Sequence, residues 1–266
     1  MTIAELASGV LGCEVSGVRR LHGGDLAGVW RLELADGRMA VAKQGPLVAR
    51  EAAMLRAIAA TGTPAPAVIA CDGDLLIMEW IESDGGLSHA WDDLAAMLAR
   101  LHGNRASQYG WHEDYAFGPV RIDNATCSDW PVFWAKRRLL PFVPHLPPSL
   151  ARRVEALAIA MPEYLPHSPA PALLHGDLWG GNVLARGGRI AGLIDPACYY
   201  GDREVDVAML TLFDHPPARF FDTLALDSGW RERLPAYRLW PLLVHYRLFG
   251  DSYRSGVEGA LDALGQ

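Results

Sequence analysis

The predicted secondary structure of this chain changes near residue 82, and that change limits the folds it can adopt. Residues Val29–Ile81 have the pattern of strands interrupted by one helix, which the apolar spacing places at Ala49–Ala60. Strand-like runs flank Asp36-Gly37, a pair typical of a tight hairpin turn. The run Leu75–Ile81 returns to a strand with apolar residues on both faces. The first part is therefore expected to be a small β-rich lobe.

Residues Glu82–Ser88, with the sequence ESDGGLS, combine glycine, serine and acids between two periodic regions, as a hinge or domain boundary does. Beyond them the apolar spacing predicts mainly helices with a few short strands. The predicted helices are Trp91–His102, Trp130–Leu140, Pro148–Tyr164, Val205–Phe213, Pro217–Leu226, Tyr237–Phe249 and Val257–Leu264, and the predicted strands are Leu173–His175, Val183–Ala185 and Ile190–Ile194. We therefore expect an α+β protein with two lobes, residues 1–82 and the larger, mainly helical 83–266.

Composition excludes several classes of protein. Half of the 266 residues are hydrophobic and 21% are charged, which is typical of a folded chain. The net charge of −7, without long runs of either sign, argues against nonspecific binding to nucleic acid. The four cysteines lack zinc-site spacing, and the chain has neither a basic leader nor 18 consecutive apolar residues. We expect a cytoplasmic protein with free thiols and no membrane partner, whose oligomeric state the sequence does not predict.

Two acids and an amide lie around one predicted hairpin. Asp177 precedes Asn182 by five residues, and Asp195 closes the next strand. Phosphoryl transfer uses such a set, in which one aspartate accepts the proton of an attacking hydroxyl while an asparagine and a second aspartate hold Mg²⁺. A surface hairpin that uses these residues for its turns is the simpler alternative.

The block His175-Gly176-Asp177, followed by Asn182 and then by Asp195, resembles the H-G-D-x-x-x-x-N and I-D motifs of the protein-kinase-like superfamily. The resemblance implies a bilobal protein-kinase-like fold. It also implies that Asp177 is the catalytic base, that Asn182 and Asp195 bind Mg²⁺, and that His175 is a structural residue of the loop.

The first lobe contains candidate residues for binding a nucleotide. Gly23, Gly24 and Gly28 form a glycine-rich turn that could bring backbone N–H groups close to phosphates, although surface turns also use such glycines. Lys43 lies on the following strand, where the superfamily places a lysine that contacts the α- and β-phosphates. Glu51, on the predicted helix, fits the glutamate that pairs with that lysine, and an exposed helical salt bridge is the alternative.

The segment of Met78, Glu79, Trp80 and Ile81 lies where the superfamily's interlobe hinge would run. There, main-chain groups would contact the edge of an adenine while apolar side chains enclose the ring. Because main-chain groups carry this recognition, the residue types do not separate ATP from GTP.

Two longer motifs narrow the resemblance from the superfamily to one of its families. HGDLWGGN, at His175–Asn182, and DPACYYGDREVD, at Asp195–Asp206, are similar to the corresponding motifs of the fructosamine kinase (ketosamine 3-kinase) family. Residues Tyr109–His112, Asp129–Leu139 and Tyr237–Tyr253 follow that family's order. The resemblance implies an ATP- and Mg²⁺-dependent kinase that phosphorylates the 3-hydroxyl of a ketosamine sugar, free or protein-bound, and so acts in protein deglycation.

Trp179, Tyr199 and Tyr200 lie near the catalytic block, where aromatic faces could pack on a sugar, although they could equally be core residues that support the loop. Asp202 and Glu204 are expected near the mouth of the site, where they would favour a cationic substrate.

Other functions fit parts of the pattern. Aminoglycoside, choline and homoserine kinases use a similar catalytic block, and fold does not choose between them. A non-catalytic pseudokinase would not need the intact set of Lys43, Asp177, Asn182 and Asp195. A metal-dependent hydrolase would need a second histidine at ligand spacing from His175, which the sequence lacks. The ketosamine kinase is the favoured hypothesis.

Overall fold

A computed structural model describes residues 1–21 and 28–266. Its contacts group the chain into two compact units. Met1–Asp93 with Gly181–Pro196 form the first unit, and Leu94–Gly180 with Ala197–Gln266 form the second.

Strands are concentrated in the first unit and α-helices in the second. In chain order, the strands are β1 Val15–Arg20, β2 Gly28–Leu34, β3 Met39–Gln44, β4 Val68–Asp72, β5 Leu75–Glu79, β6 Tyr115–Phe117, β7 Val120–Ile122, β8 Ala172–Leu174, β9 Val183–Arg186, β10 Arg189–Leu193 and β11 Tyr199–Gly201. The α-helices are α1 Ile3–Leu11, α2 Val48–Ala60, α3 Trp91–Leu101, α4 Trp130–Trp134, α5 Pro148–Tyr164, α6 Glu204–Phe213, α7 Ala218–Leu224, α8 Trp230–Phe249 and α9 Arg254–Ala263. The predicted α+β class is confirmed.

The first unit contains a five-stranded antiparallel sheet in the order β1-β2-β3-β5-β4. The turn between β2 and β3 contains Asp36-Gly37, and Gly37 has φ +85°, which glycine adopts without strain. The predicted hairpin is therefore confirmed. Helix α1 was not predicted, although Thr2 and Glu5 form a reciprocal capping box at its start.

Strand β5 is apolar on both faces because each face packs against a different cluster. Leu75 and Ile77 belong to the cluster that includes Ala7 of α1, whereas Leu76 and Met78 belong to the cluster that includes Ala52 of α2. A strand covered on both faces loses the alternation of apolar and polar residues. This explains the continuous apolar run seen in the sequence.

The β9–β10 hairpin is bound to the rest of the first unit by hydrogen bonds. Ser83 Oγ donates to Ala185 O at 2.9 Å, Gly187 N donates to the Asp84 carboxylate at 2.8 Å, and Ile190 N donates to the Asp93 carboxylate at 2.7 Å. The segment after residue 82 is therefore tied to this hairpin.

This arrangement differs from our expectation for one pair of residues. We expected Lys43 and Asp195 on opposite sides of the boundary at residue 82, but the contacts place both in the first unit. The reason is that residues 181–196 make their contacts with the sheet-containing unit. The division into lobes 1–82 and 83–266 remains a prediction.

The second unit is mainly helical, as predicted. Helix α5 has the predicted bounds, whereas α8 begins at Trp230, seven residues before the expected start at Tyr237. Pro235 and Pro241 lie inside α8 and obscure its pattern, but the buried side chains along it hold the helix together. In the described residues, no helix is long and apolar enough to cross a membrane.

Candidate active site

Lys43 is the centre of the candidate site in the first unit. Its side chain lies on β3, is only 6% exposed, and donates from Nζ to Glu51 Oε1 at 2.7 Å. The same Nζ pairs with the Asp195 carboxylate. The predicted ion pair with Glu51 is thus present, and Asp195 is a second partner that the sequence did not indicate.

The local structure explains how residues eight positions apart can meet. Strand β3 ends at Gln44, and Gly45 N donates to Asp74 O at 2.9 Å, which turns the chain directly into α2. Glu51 therefore lies in the first turn of α2, where the positive end of the helix dipole favours a carboxylate.

The pKa of Lys43 depends on its burial and on the two carboxylates beside it. Burial by itself lowers the pKa of Lys43, but the carboxylates of Glu51 and Asp195 raise it above its ordinary value. Lys43 therefore remains a cation at neutral pH. Burial raises the pKa of Glu51, and the charge of Lys43 and its hydrogen bond act against that rise, so the ammonium stabilises the carboxylate beside it.

A cavity of about 300 Å³ opens beside Lys43 within the first unit, a volume at the lower end of the range for small-ligand pockets. Its walls are largely apolar, and one edge is the segment after β5. The lining residues are Leu21, Val29, Val41, Lys43, Pro66, Met78, Glu79, Trp80, Ile81, Glu82, Ser83, Leu184, Ile194 and Asp195.

Most of the predicted nucleotide-binding residues thus come together in the structure. Lys43 and the segment Met78–Ile81 line the cavity, and Glu51 contacts Lys43. Gly28 begins β2, where it pairs with Gln44. Gly23 and Gly24 lie outside the described residues.

The two predicted metal ligands lie at one end of the β9–β10 hairpin. Asn182 O accepts from Ile194 N at 3.0 Å, which places Asn182 beside the strand that leads into Asp195. Asp195 has φ +54°, an uncommon conformation for a residue with a side chain.

Amide and carboxylate oxygens are the ligands that Mg²⁺ prefers, so the chemistry of Asn182 and Asp195 fits that ion. Within residues 1–21 and 28–266, no group of three or more His, Cys, Asp or Glu side chains could hold a metal. A magnesium ion here would complete its coordination with substrate phosphates and water, as is usual for Mg²⁺.

The loop of Asp177 lies in the second unit, directly after β8. The carboxylate of Asp206 accepts hydrogen bonds from His175 N and Gly176 N, both at 2.9 Å, and a third from His102 Nε2 at 2.9 Å. Gly176 has φ +81°, and a side chain there would collide with the carbonyl of Ala197. The backbone just before the half-buried Asp177 is therefore fixed from two sides.

Asp206 is fully buried yet ionised. Burial by itself raises its pKa, but the hydrogen bond from His102, the potentials of His102 and His175 and the Gly176 N–H lower the pKa below its ordinary value. The sequence identified Asp206 only as the last residue of the DPACYYGDREVD motif. Its contact with the catalytic loop spans about thirty residues of sequence, which spacing alone does not reveal.

One of the three aromatic substrate candidates requires correction. Tyr199 is 0% exposed, stacks on the ring of Phe133 and packs against the guanidinium of Arg138, so it is a core residue whose side chain is closed to a sugar. Tyr200 is half-buried and donates to Asn104 Oδ1 at 2.9 Å, whereas Trp179 is 41% exposed. For Trp179 and Tyr200, contact with substrate remains a prediction.

The expected acids at the mouth of the site require a second correction. Asp202 is buried and accepts from Tyr237 OH at 2.7 Å, and buried Glu204 accepts from Arg233 Nε at 2.7 Å and Nη2 at 2.6 Å. Both acids are therefore committed to internal partners. They do not supply the negative charge that we expected to attract a cationic substrate.

Comparison with known proteins identifies the family. The family model for fructosamine kinase matches residues 1–266. The chain belongs to the fructosamine kinase family. A relative from Enterococcus faecium, assigned as a ketoamine kinase, is 38% identical over 207 residues, which cover 72% of each chain. Another from Thermus thermophilus with the same assignment is 34% identical, over 91% of this chain and 92% of the relative.

Solved structures extend the comparison. A protein from Thermobifida fusca assigned as a fructosamine-3-kinase has a TM-score of 0.91 at 34% identity, with 98% of each chain covered. An aminoglycoside phosphotransferase has a TM-score of 0.69 at 19% identity, with 98% of each chain covered. This second likeness shows that the chain shares the fold of that phosphotransferase.

Replacing Asp206 with asparagine should loosen the loop that carries Asp177. Asp206→Asn keeps the shape but removes one acceptor oxygen, so a buried backbone N–H loses its partner, and the free energy of unfolding should fall by about 2 kcal/mol. The pKa of Asp206 is lower in the folded protein than in the unfolded chain, where it is about 4. Wild type should therefore be more stable than Asp206→Asn by the full amount above about pH 4, and this difference in the free energy of unfolding should decline as the pH falls through the pKa of the folded protein.

Urea unfolding at pH 7 and at pH 3 measures both effects. Asp222→Asn, at an exposed position on α7, is the matched control and should leave stability unchanged. Equal stability of Asp206→Asn and wild type at pH 7 would contradict the proposed anchoring.

Proposed function

We propose that this kinase transfers the γ-phosphoryl group of ATP to the 3-hydroxyl of a ketosamine sugar, with Asp177 as the catalytic base. Membership of the fructosamine kinase family supports the reaction class and the substrate. The observation that carries the assignment of roles is the contact of Lys43 with both Glu51 and Asp195 at the edge of a ligand-sized cavity.

The cavity in the first unit suits a nucleotide base. Val29, Val41 and Leu184 offer apolar contacts, and Trp80 and Ile81, whose main-chain groups would contact the base, also line the cavity. Apolar walls with a few polar groups at one edge are typical of such sites. An aminoglycoside phosphotransferase of the same fold has been solved with AMP-PNP and hygromycin B, which supports the use of a nucleotide by this fold.

In the proposed reaction, each residue has a distinct task. Lys43 donates to the α- and β-phosphates, while Asn182 and Asp195 hold Mg²⁺, which neutralises charge on the phosphates when bound. Asp177 accepts the proton of the 3-hydroxyl as its oxygen forms a bond to the γ-phosphorus. The bond from that phosphorus to the bridging oxygen of ADP breaks, and ADP leaves with that electron pair.

Aminoglycoside phosphorylation is the less favoured function. The likeness to aminoglycoside phosphotransferases is 19% in sequence and establishes the fold alone. An aminoglycoside carries several cationic amino groups, but Asp202 and Glu204 are occupied by internal partners. A ketosamine, with one amine, requires fewer acids.

The proposal includes a cytoplasmic location and substrates that are either free or bound to protein. All four cysteines are free thiols, as is usual in a reducing compartment.

Substitutions of the two aspartates should have different effects. Asp177→Asn removes the base and keeps the shape, so kcat should fall by about 10²–10⁴-fold while the KM for ATP changes little. Asp195→Ala removes a metal ligand, so nucleotide affinity should fall together with turnover, and Asn182→Ala should resemble it more mildly. ADP release with fructosyl-lysine as acceptor measures each variant. Similar small losses in all three would show that this loop is not the catalytic centre.

Lys43 and Glu51 should act as one unit. Lys43→Met should raise the KM for ATP and lower kcat/KM, because a phosphate contact and the ion pair are lost together. Glu51→Ala should impair the same step, and the double variant should be less impaired than the product of the single effects. Arg56→Met removes an exposed cation from the same helix and is the control. Strictly multiplicative effects in the ATP titrations would refute the coupling.

A further inference from the structure

A strip of aromatic side chains begins just after the catalytic loop in the second unit. The ring of Trp179 lies 6.1 Å from that of Phe213, which lies 5.3 Å from His245. The His245 ring in turn lies 5.7 Å from Phe249 and 4.8 Å from Tyr253. These five residues, from four segments of the unit, form one continuous series of ring contacts, which we call the aromatic strip.

The strip is partly open to solvent. Phe249 is 51% exposed, Trp179 41% and Phe213 39%, and the exposed large aromatic residues in the described part of the chain all belong to the strip. Contiguous exposed apolar surface is unfavourable in water and is typical of binding sites. Packing within the protein does not require these side chains to be open, which points to a ligand.

The strip is continuous with the surroundings of the catalytic base. His245 and Asp177 line the same narrow cavity, together with Trp240 and Pro241. Its volume of about 20 Å³ is enough for a single water molecule but not for a sugar. A sugar presented to Asp177 therefore lies outside this cavity, and His245 connects the cavity to the rest of the strip.

The strip is uncharged at neutral pH. His245 Nδ1 lies 2.7 Å from Pro241 O, and burial lowers the pKa of His245 below its ordinary value. A neutral imidazole does not repel a cation, and the faces of Trp, Tyr and Phe attract one. The surface thus suits a ligand that combines an ammonium group with a hydrocarbon chain.

We propose that the aromatic strip binds the amine-borne part of the ketosamine, its protonated nitrogen and the hydrocarbon chain attached to it. In a ketosamine the nitrogen is three bonds from C3, so with the 3-hydroxyl at Asp177 the amine is carried onto the neighbouring surface. The enzyme therefore selects ketosamines formed on long side-chain amines, such as that of lysine, over those formed on short amines. This inference rests on the proposed function.

Two ketosamines with the same sugar test the strip. One is fructosyl-methylamine and the other is fructosyl-hexylamine, so they differ only in the chain on nitrogen. The kcat/KM of wild type should be at least about tenfold higher for the long compound than for the short one. Phe249→Ala should lower the kcat/KM for the long compound about five- to tenfold, mainly by raising its KM. Phe249→Tyr retains a ring and should keep the preference, and Tyr253→Ala should reduce it.

Controls separate the possible outcomes. The short ketosamine reaches the strip only with its nitrogen and a methyl group, so its kcat/KM should fall less in Phe249→Ala than that of the long ketosamine. Circular dichroism shows separately that the variant is folded. Ile159→Ala, which removes an apolar residue 84% exposed on α5, should change neither value. Equal kcat/KM for both compounds in wild type, or equal losses on both in Phe249→Ala, would overturn the role of the strip alone. If wild type phosphorylated neither compound, the proposed function would fail and the inference with it.

Discussion

A buried lysine held by two carboxylates organises the first unit. Removing a charged amine from water is costly unless it is paired and hydrogen-bonded, so Lys43 can be buried only where Glu51 and Asp195 accept from it. The three residues come from β3, from α2 and from the end of the β9–β10 hairpin. Buried ion pairs add little net stability compared with apolar packing, so the retention of this one fits a catalytic use.

The Asp177 loop is positioned by a similar principle in the second unit. There a buried carboxylate, Asp206, accepts from the backbone before Asp177, and Gly176 adopts a conformation with no room for a side chain. In both units a buried charge is neutralised by groups distant in sequence. The backbone before Asp177 is thereby fixed, and the Lys43 side chain is held by its own ion pairs.

Sequence patterns correctly predicted those features that residues close together in the chain determine, such as turns and helix bounds. The Asp36-Gly37 turn specified the β2–β3 hairpin, and apolar spacing gave the bounds of α5. The pairing of Lys43 with Glu51 followed from motif position and was present in the structure. The features that the sequence did not predict depend on contacts between residues far apart in the chain. Tyr199 is in the core because it packs against Phe133 and Arg138, which come from another segment of the chain, and nothing in its own segment shows this.

The proposed reaction of this member of the fructosamine kinase family is phosphorylation of the 3-hydroxyl of a ketosamine. The most direct test is to incubate the protein with ATP, Mg²⁺ and equal concentrations of fructosyl-lysine and kanamycin, and to locate the new phosphoester by phosphorus NMR. We expect a phosphoester on O3 of fructosyl-lysine and unmodified kanamycin. Phosphorylation of kanamycin without any ketosamine product would contradict it.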